Sequence, residues 1–179
     1  YNTTGGCNTV VGSAALQKNT TGNQNTALGY LALCSNTTGN YSTAVGTKAL
    51  YNNTTGNNQA FGSFIMQENT TGTLNNAFGY ATLEKNTTGD GNTAMGHAAM
   101  NKNTTGDYNT ASGYQASYCN TTGHSNVAVG YTALYDNSTG CNNTAIGHAS
   151  LVCATGSHNT AVGKNALYNT TSGQYNTAM

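Results

Sequence analysis

Two glycines return every seventeen residues through this chain, and nothing else in it limits the fold as sharply. Residues 19–35, NTTGNQNTALGYLALCS, give the unit, and the remaining sequence restates it. With its residues numbered as slots 1 to 17, glycine fills slot 4 (Gly5, Gly22, Gly39 and onward to Gly173) and slot 11 (Gly12, Gly29, Gly46 and onward to Gly163). One residue is missing between Gly56 and Gly62, and another between Gly147 and Gly156. A fixed period of this kind marks a repeat architecture, in which each copy buries its apolar side chains only by stacking on its neighbours.

The unit cannot be a helical hairpin. Asn, Thr and Gly dominate each copy, and two glycines per unit would break a helix. Runs 25–28 and 31–33 are short and bounded by glycine, which predicts two short strands per copy. The expected fold is all-β: a β-solenoid (β-helix or β-roll) with one 17-residue coil per repeat, about ten and a half coils, and the glycine columns at its corners. Coils stacked ~4.8 Å apart would make a rod on the order of 50 Å long. The two shortened copies should be local irregularities, with the stack continuing past both. The chain enters in slot 17 at Tyr1 and leaves in slot 10 at Met179, so residues 1–179 are expected to be a single uncapped array, a segment of a longer fibre.

Stacking turns each slot into a column. Slot 10 holds Val11, Leu28, Val45, Phe61, Phe78 and Met95 among others, and slot 15 holds mostly Leu or Met, so both read as core. Ser112 and Ser117 interrupt both columns in one copy, which should be the weakest coil or the one contacted by something else. Slot 9 is Ala in every copy but the first, and slot 14 is mostly Ala. Because side chains alternate faces along a strand, slots 9 and 10 point in opposite directions. Either alanine fills a narrow interior while the larger residues face a partner, or the larger residues are inside and alanine meets a neighbouring chain. The sequence leaves both assignments open. Both predict self-association into a fibre or homo-oligomer.

Composition excludes several function classes. Five Lys and five Asp or Glu give a net charge of zero with no clustered basic surface, so no nucleic-acid partner is expected. No apolar run is long enough to insert in a membrane. Cys7, Cys34, Cys119, Cys141 and Cys153 show no CxxC spacing and no alignment with histidines, which argues against zinc. Their odd number leaves at least one thiol free or paired with another chain. His97 and His148 share a slot three coils apart, too far for one metal, and Asp90 and Asp107 would at most hold a cation weakly. No nucleophile–base set can be assembled, so no catalytic residue, metal or cofactor is expected and the chain is read as a non-enzyme.

Copies such as Asn25-Thr-Ala-Leu-Gly-Tyr-Leu-Ala-Leu33 and Asn159-Thr-Ala-Val-Gly-Lys-Asn-Ala-Leu167 resemble the head repeats of trimeric autotransporter adhesins. With the intervening Asn-Thr-Thr-Gly they also resemble repeats of bacterial and phage tail-fibre-like proteins. The resemblance covers the whole chain. It implies a β-roll or β-helix, commonly three chains around an axis, exposed on a cell or virion as a shaft or adhesive surface. The adhesin heads use a shorter repeat than this one. The expected function is therefore a structural or adhesive extracellular fibre, a cell-surface filament or a tail-fibre shaft.

Three columns carry candidate chemistry. Asn2, Asn19, Asn36, Asn53, Asn69, Asn86, Asn103, Asn120 and Asn169 each begin Asn-Thr-Thr, and Asn137 begins Asn-Ser-Thr, so all ten are formal N-glycosylation acceptors. The competing reading is a ladder of stacked amides hydrogen-bonding from coil to coil. Tyr80, Tyr114 and Tyr131 share slot 12 with His97 and His148, and Tyr118 and Tyr135 share slot 16. Such stripes could stack on sugar rings of surface glycans, or simply stack on one another and stabilise the rod. Regular threonines also suggest an ice-binding β-solenoid, although adjacent Thr-Thr before a glycine reads as a corner, not a flat face.

Overall fold

A computed structural model describes residues 3–179, and Tyr1 and Asn2 lie outside the described residues. The chain is an all-β parallel solenoid with no helix among the described residues. Its strands are β1 (Thr9–Val11), β2 (Thr26–Leu28), β3 (Thr43–Val45), β4 (Gln59–Phe61), β5 (Asn76–Phe78), β6 (Thr93–Met95), β7 (Thr110–Ser112), β8 (Val127–Val129), β9 (Thr144–Ile146), β10 (Thr160–Val162) and β11 (Thr177–Ala178). They form one 11-stranded sheet in chain order. Every pairing is parallel and in slot register, as in Ala94↔Ala111 and Met95↔Ser112.

Each coil has one strand, in slots 8 to 10, where two were expected. The second apolar run is a chain of turns. Its backbone alternates, with positive φ at slots 13 and 15: Lys48 55° and Leu50 53°, Ala98 54° and Met100 49°. A left-handed residue cannot continue a strand, so the usual alternation of faces does not apply there. Coil-to-coil hydrogen bonds persist through the turns regardless. The slot 15 amide donates to the next coil's slot 14 carbonyl, as Met100 N to Ala116 O at 3.0 Å. The slot 13 amide donates back to the previous coil, as Ala98 N to Tyr80 O at 2.9 Å.

This geometry decides the core, and neither whole assignment survives. Slot 9 alanines are inside: Ala44, Ala60, Ala94, Ala111 and Ala128 are completely buried. Slots 14 and 15 join them from the turn side, with Ala99, Met100, Ala133 and Leu134 also fully buried. Small residues on the strand thus oppose large ones on the turns, a complementarity that suits a narrow coil. Slot 10, read as core from the letters, lies outside. Leu28, Phe61, Phe78, Met95, Val129, Ile146 and Val162 are all exposed, because they point away from the buried slot 9.

The glycine columns are sterically required. At slot 4, a Cβ on Gly89 would lie 2.5 Å from the Gly106 carbonyl oxygen and 2.6 Å from Asn86 Oδ1. At slot 11, Gly147 combines φ 126° with a Cβ position 2.6 Å from the Gly163 carbonyl oxygen. Both shortened copies keep the stack intact, since Ala44 still pairs with Ala60 and Ala145 with Ala161.

Candidate functional site

Three surfaces and one interior feature bear on function, beginning with the asparagines. In slot 1 the amide nitrogens typically donate twice, whereas Asn53 Nδ2 makes one long contact, to Asn36 Oδ1 at 3.5 Å. Asn103 Nδ2 reaches Asn86 Oδ1 at 2.7 Å in the previous coil and the Gly106 carbonyl at 3.0 Å in its own. Asn86 and Asn120 repeat the pattern at 2.7 and 2.8 Å. The ladder runs through Asn19, Asn36, Asn53, Asn69, Asn86, Asn103, Asn120 and Asn137, all completely buried. A glycosyltransferase would have to reach these eight amides before the coil closes. Asn169 differs: it is exposed and falls one residue before Thr170, whose amide makes the slot 1 contact to Leu167 O at 3.2 Å. Asn2 lies outside the described residues.

A second amide column, in slot 7, was not singled out from the sequence. Its Oδ1 accepts the backbone N–H of the next coil's slot 7 residue, as Asn109 N to Asn92 Oδ1 at 3.0 Å. Its Nδ2 caps the next coil's slot 4 carbonyl, as Asn92 Nδ2 to Gly106 O at 2.8 Å. The available signal was that slot 7 is Asn in every copy except Ser42, whose hydroxyl serves the same carbonyl, Gly56 O, at 2.7 Å. Slot 5 extends the habit at the surface, where Asp90 and Asp107 act as asparagine substitutes. Their Oδ1 atoms accept Thr73 N at 2.6 Å and Asp90 N at 2.7 Å. Among the described residues no three His, Cys, Asp or Glu side chains converge as metal ligands, and all five cysteines are free.

The outer face of the sheet is the first exposed surface. Slots 6, 8 and 10 present no Lys, Asp or Glu in any coil. Along it runs the slot 10 stripe, with Phe61 and Phe78 stacked at 4.9 Å. Single exposed apolar residues need no explanation, but a stripe recurring coil after coil and broken at Ser112 marks an interaction surface.

The aromatic columns form the second. Tyr80, His97, Tyr114, Tyr131 and His148 stack in sequence, with centroids 5.1 to 5.3 Å apart. Tyr118 and Tyr135 stack at 5.3 Å in slot 16, and Lys102 lies over the Tyr118 ring. Ring faces within the columns are covered by one another, so the rings turn edges and hydroxyls outward. Sugar stacking needs a free face, which a ring inside an unbroken column does not offer. Burial, with the acidic groups around it, raises the Tyr135 hydroxyl above the usual phenol range and keeps it a proton donor.

Threonines form the third. Slot 2 hydroxyls are used within the rod, as Thr104 Oγ1 donating to Thr121 O at 3.0 Å. Slot 3 threonines such as Thr88, Thr105 and Thr122 are exposed in single file at a corner.

Fold and surfaces together define a parallel β-solenoid repeat protein with an internal asparagine ladder. Compared with known proteins, the chain matches no family model, no curated protein and no solved structure.

Proposed function

We propose that the chain is the structural rod of an extracellular fibre, on a cell surface or a virion, and that copies associate side by side through the outer sheet face. The observation that carries this reading is the charge-free slot 10 stripe. Its side chains recur once per coil, so the surface able to match it along its whole length is another rod of the same repeat. Lateral packing of two or three copies would remove the stripe from water and add the hydrophobic term that a thin coil leaves unused. The resemblance of the NTAxG copies to adhesin heads and tail-fibre repeats supports placing the rod outside the cell. The reading assigns no catalytic step, and the same face with flat threonines would serve an ice-binding protein.

Sedimentation of the chain beside a variant carrying Phe61→Thr, Phe78→Thr, Val129→Thr and Ile146→Thr tests the proposal. The parent is expected to be oligomeric and the variant monomeric, with unchanged circular dichroism because these side chains lie outside the core. A parent that stays monomeric at all concentrations overturns it, and thermal hysteresis in that monomer would favour the ice-binding alternative.

A further inference from the structure

The slot 16 column is broken once within its run of tyrosines. Tyr135 stacks on Tyr118, but the next coil places Val152 in the column, and Tyr168 follows in the coil beyond. Among the described residues neither Tyr135 nor Tyr168 stacks on a ring on the side toward Val152. At this break lies a groove of about 380 Å³, within the size range of small-ligand sites. Tyr131 and His148 of the slot 12 column form the facing wall, and Thr132, Ala149 and Asn165 the floor.

We propose that this groove binds a short neutral oligosaccharide. Tyr131, Thr132, Tyr135, Asn165 and Tyr168 offer hydroxyls and an amide that can each donate and accept, which matches the hydroxyls of a sugar. None of these side chains spends that capacity on another part of the protein. Ala149 and Val152 are largely buried and close the bottom of the groove, and Tyr135 and Tyr168 flank it with rings whose Val152-facing sides meet no other ring, giving an apolar border for the C–H face of a sugar. No Lys, Asp or Glu lines the groove, so beside His148 it offers an anionic sugar no lysine and a cationic ligand no carboxylate. With Gln115 at one end and Tyr168 at the other, the groove draws its lining from four successive coils along the rod axis, so a linear chain would lie parallel to the fibre. Its residues sit in slots 12, 13 and 16, outside the sheet face, so binding does not depend on the assembly proposal.

The test is an amide NMR titration of the chain with maltotriose, cellotriose and chitotriose, with 3′-sialyllactose as the anionic control. At least one neutral trisaccharide is expected to shift the Thr132, Ala149 and Asn165 signals while leaving the Tyr80–His97 region unmoved. Val152→Tyr, which completes the column and fills the break, should weaken binding at least about tenfold. Should that variant fold poorly, the double variant Tyr131→Phe, Tyr168→Phe keeps every ring, removes two hydroxyls, and is expected to show the same direction of loss. Absence of shifts with all three neutral sugars, equal binding of sialyllactose, or undiminished binding by a folded blocking variant overturns the proposal.

Discussion

The two places where the chain is one residue short are accommodated differently. Between Gly56 and Gly62 the lost residue is slot 6, the left-handed residue of the strand-side corner. Gly56 takes over the positive φ, at 108°, whereas the other slot 4 glycines of the described coils have none. Asn57 O still accepts the amide of the next coil, from Leu74 at 2.7 Å; Asn53 stays in the slot 1 ladder with its donor contact lengthened to 3.5 Å, and Asn58 stays in the slot 7 ladder. Between Gly147 and Gly156 the lost residue is the exposed slot 3 threonine, and Ala154 stands where the ladder needs an asparagine. Its amide makes the slot 1 contact to Leu151 O at 3.4 Å, but it has no side-chain donor, and Asn137 Oδ1 is left buried without a partner. The slot 7 ladder crosses both sites, as Asn159 N to Asn143 Oδ1 at 2.9 Å shows at the second. A coil therefore tolerates losing a corner residue when a glycine can absorb the torsion. Losing an amide rung leaves a polar atom unsatisfied in the interior, at a cost of about 1–3 kcal/mol.

The largest effect should come from the glycines that this contrast turns on. Gly89→Ala places a methyl against the Gly106 carbonyl and two ladder amides at 2.5 to 3.0 Å, all of them fixed groups inside the stack. Coils 86–106 must then separate, and a cooperative loss of structure is expected, with a melting temperature lower by about 6–12 degrees for a loss of ~3 kcal/mol. Gly56→Ala meets its nearest backbone oxygen at 2.9 Å and adds the strain of positive φ, so it should destabilise less. Equal losses by thermal denaturation would show that torsion, not close approach, fixes the column.

Next in size is the amide rung itself. Asn103→Ala strips Asn86 Oδ1 and Gly106 O of a donor and removes the acceptor of Asn120 Nδ2, for an expected loss of about 2–4 kcal/mol. The converse change, Ala154→Asn, returns a donor to Asn137 Oδ1 and should gain about 1 kcal/mol, seen as slower amide exchange around Asn137. If Ala154→Asn leaves exchange unchanged, the missing residue has moved the backbone too far for the rung to re-form.

Much of this was legible in the letters, and the remainder has a physical cause. The period, the corners and the parallel register follow from glycine spacing, because slots that repeat must stack. The persistent alanine of slot 9 marked a constrained column, but the letters left open whether it faced the interior or a neighbouring chain. What the period could not convey is the path of the chain between slots 12 and 17, where apolar letters predicted a second strand. Slot 15 carries Leu, Met or Ser and never Val, Ile or Thr, whereas slot 10 carries Val11, Val45, Val129, Ile146 and Val162. Residues branched at Cβ suit strands and tolerate positive φ poorly, so their absence from slot 15 was the available sign of a left-handed backbone. The tyrosine columns were legible as columns. The break at Val152 was visible in the sequence too, but its meaning depends on the neighbouring slot 12 wall, which only the coil's cross-section supplies.

The smallest effect concerns what joins coils from outside rather than within. Lys85 Nζ meets Glu68 Oε1 at 2.5 Å in the preceding coil, with Glu84 at 3.8 Å. The hydrogen bond to Glu68 raises the Lys85 pKa above its ordinary value against a smaller desolvation effect. A raised pKa in the folded state means the pair's contribution is complete below the unfolded lysine's value and fades as pH rises through the folded one. Both side chains are close to half exposed, so screening leaves the pair worth no more than about 0.2–1 kcal/mol. Lys85→Met should therefore lower stability by that amount at neutral pH and low salt, and by less in high salt or strong alkali. A double-mutant cycle with Glu68→Gln isolates the coupling. Should it exceed the cost of Asn103→Ala, the coils would be held together by surface charge, and the buried ladder would set only their register.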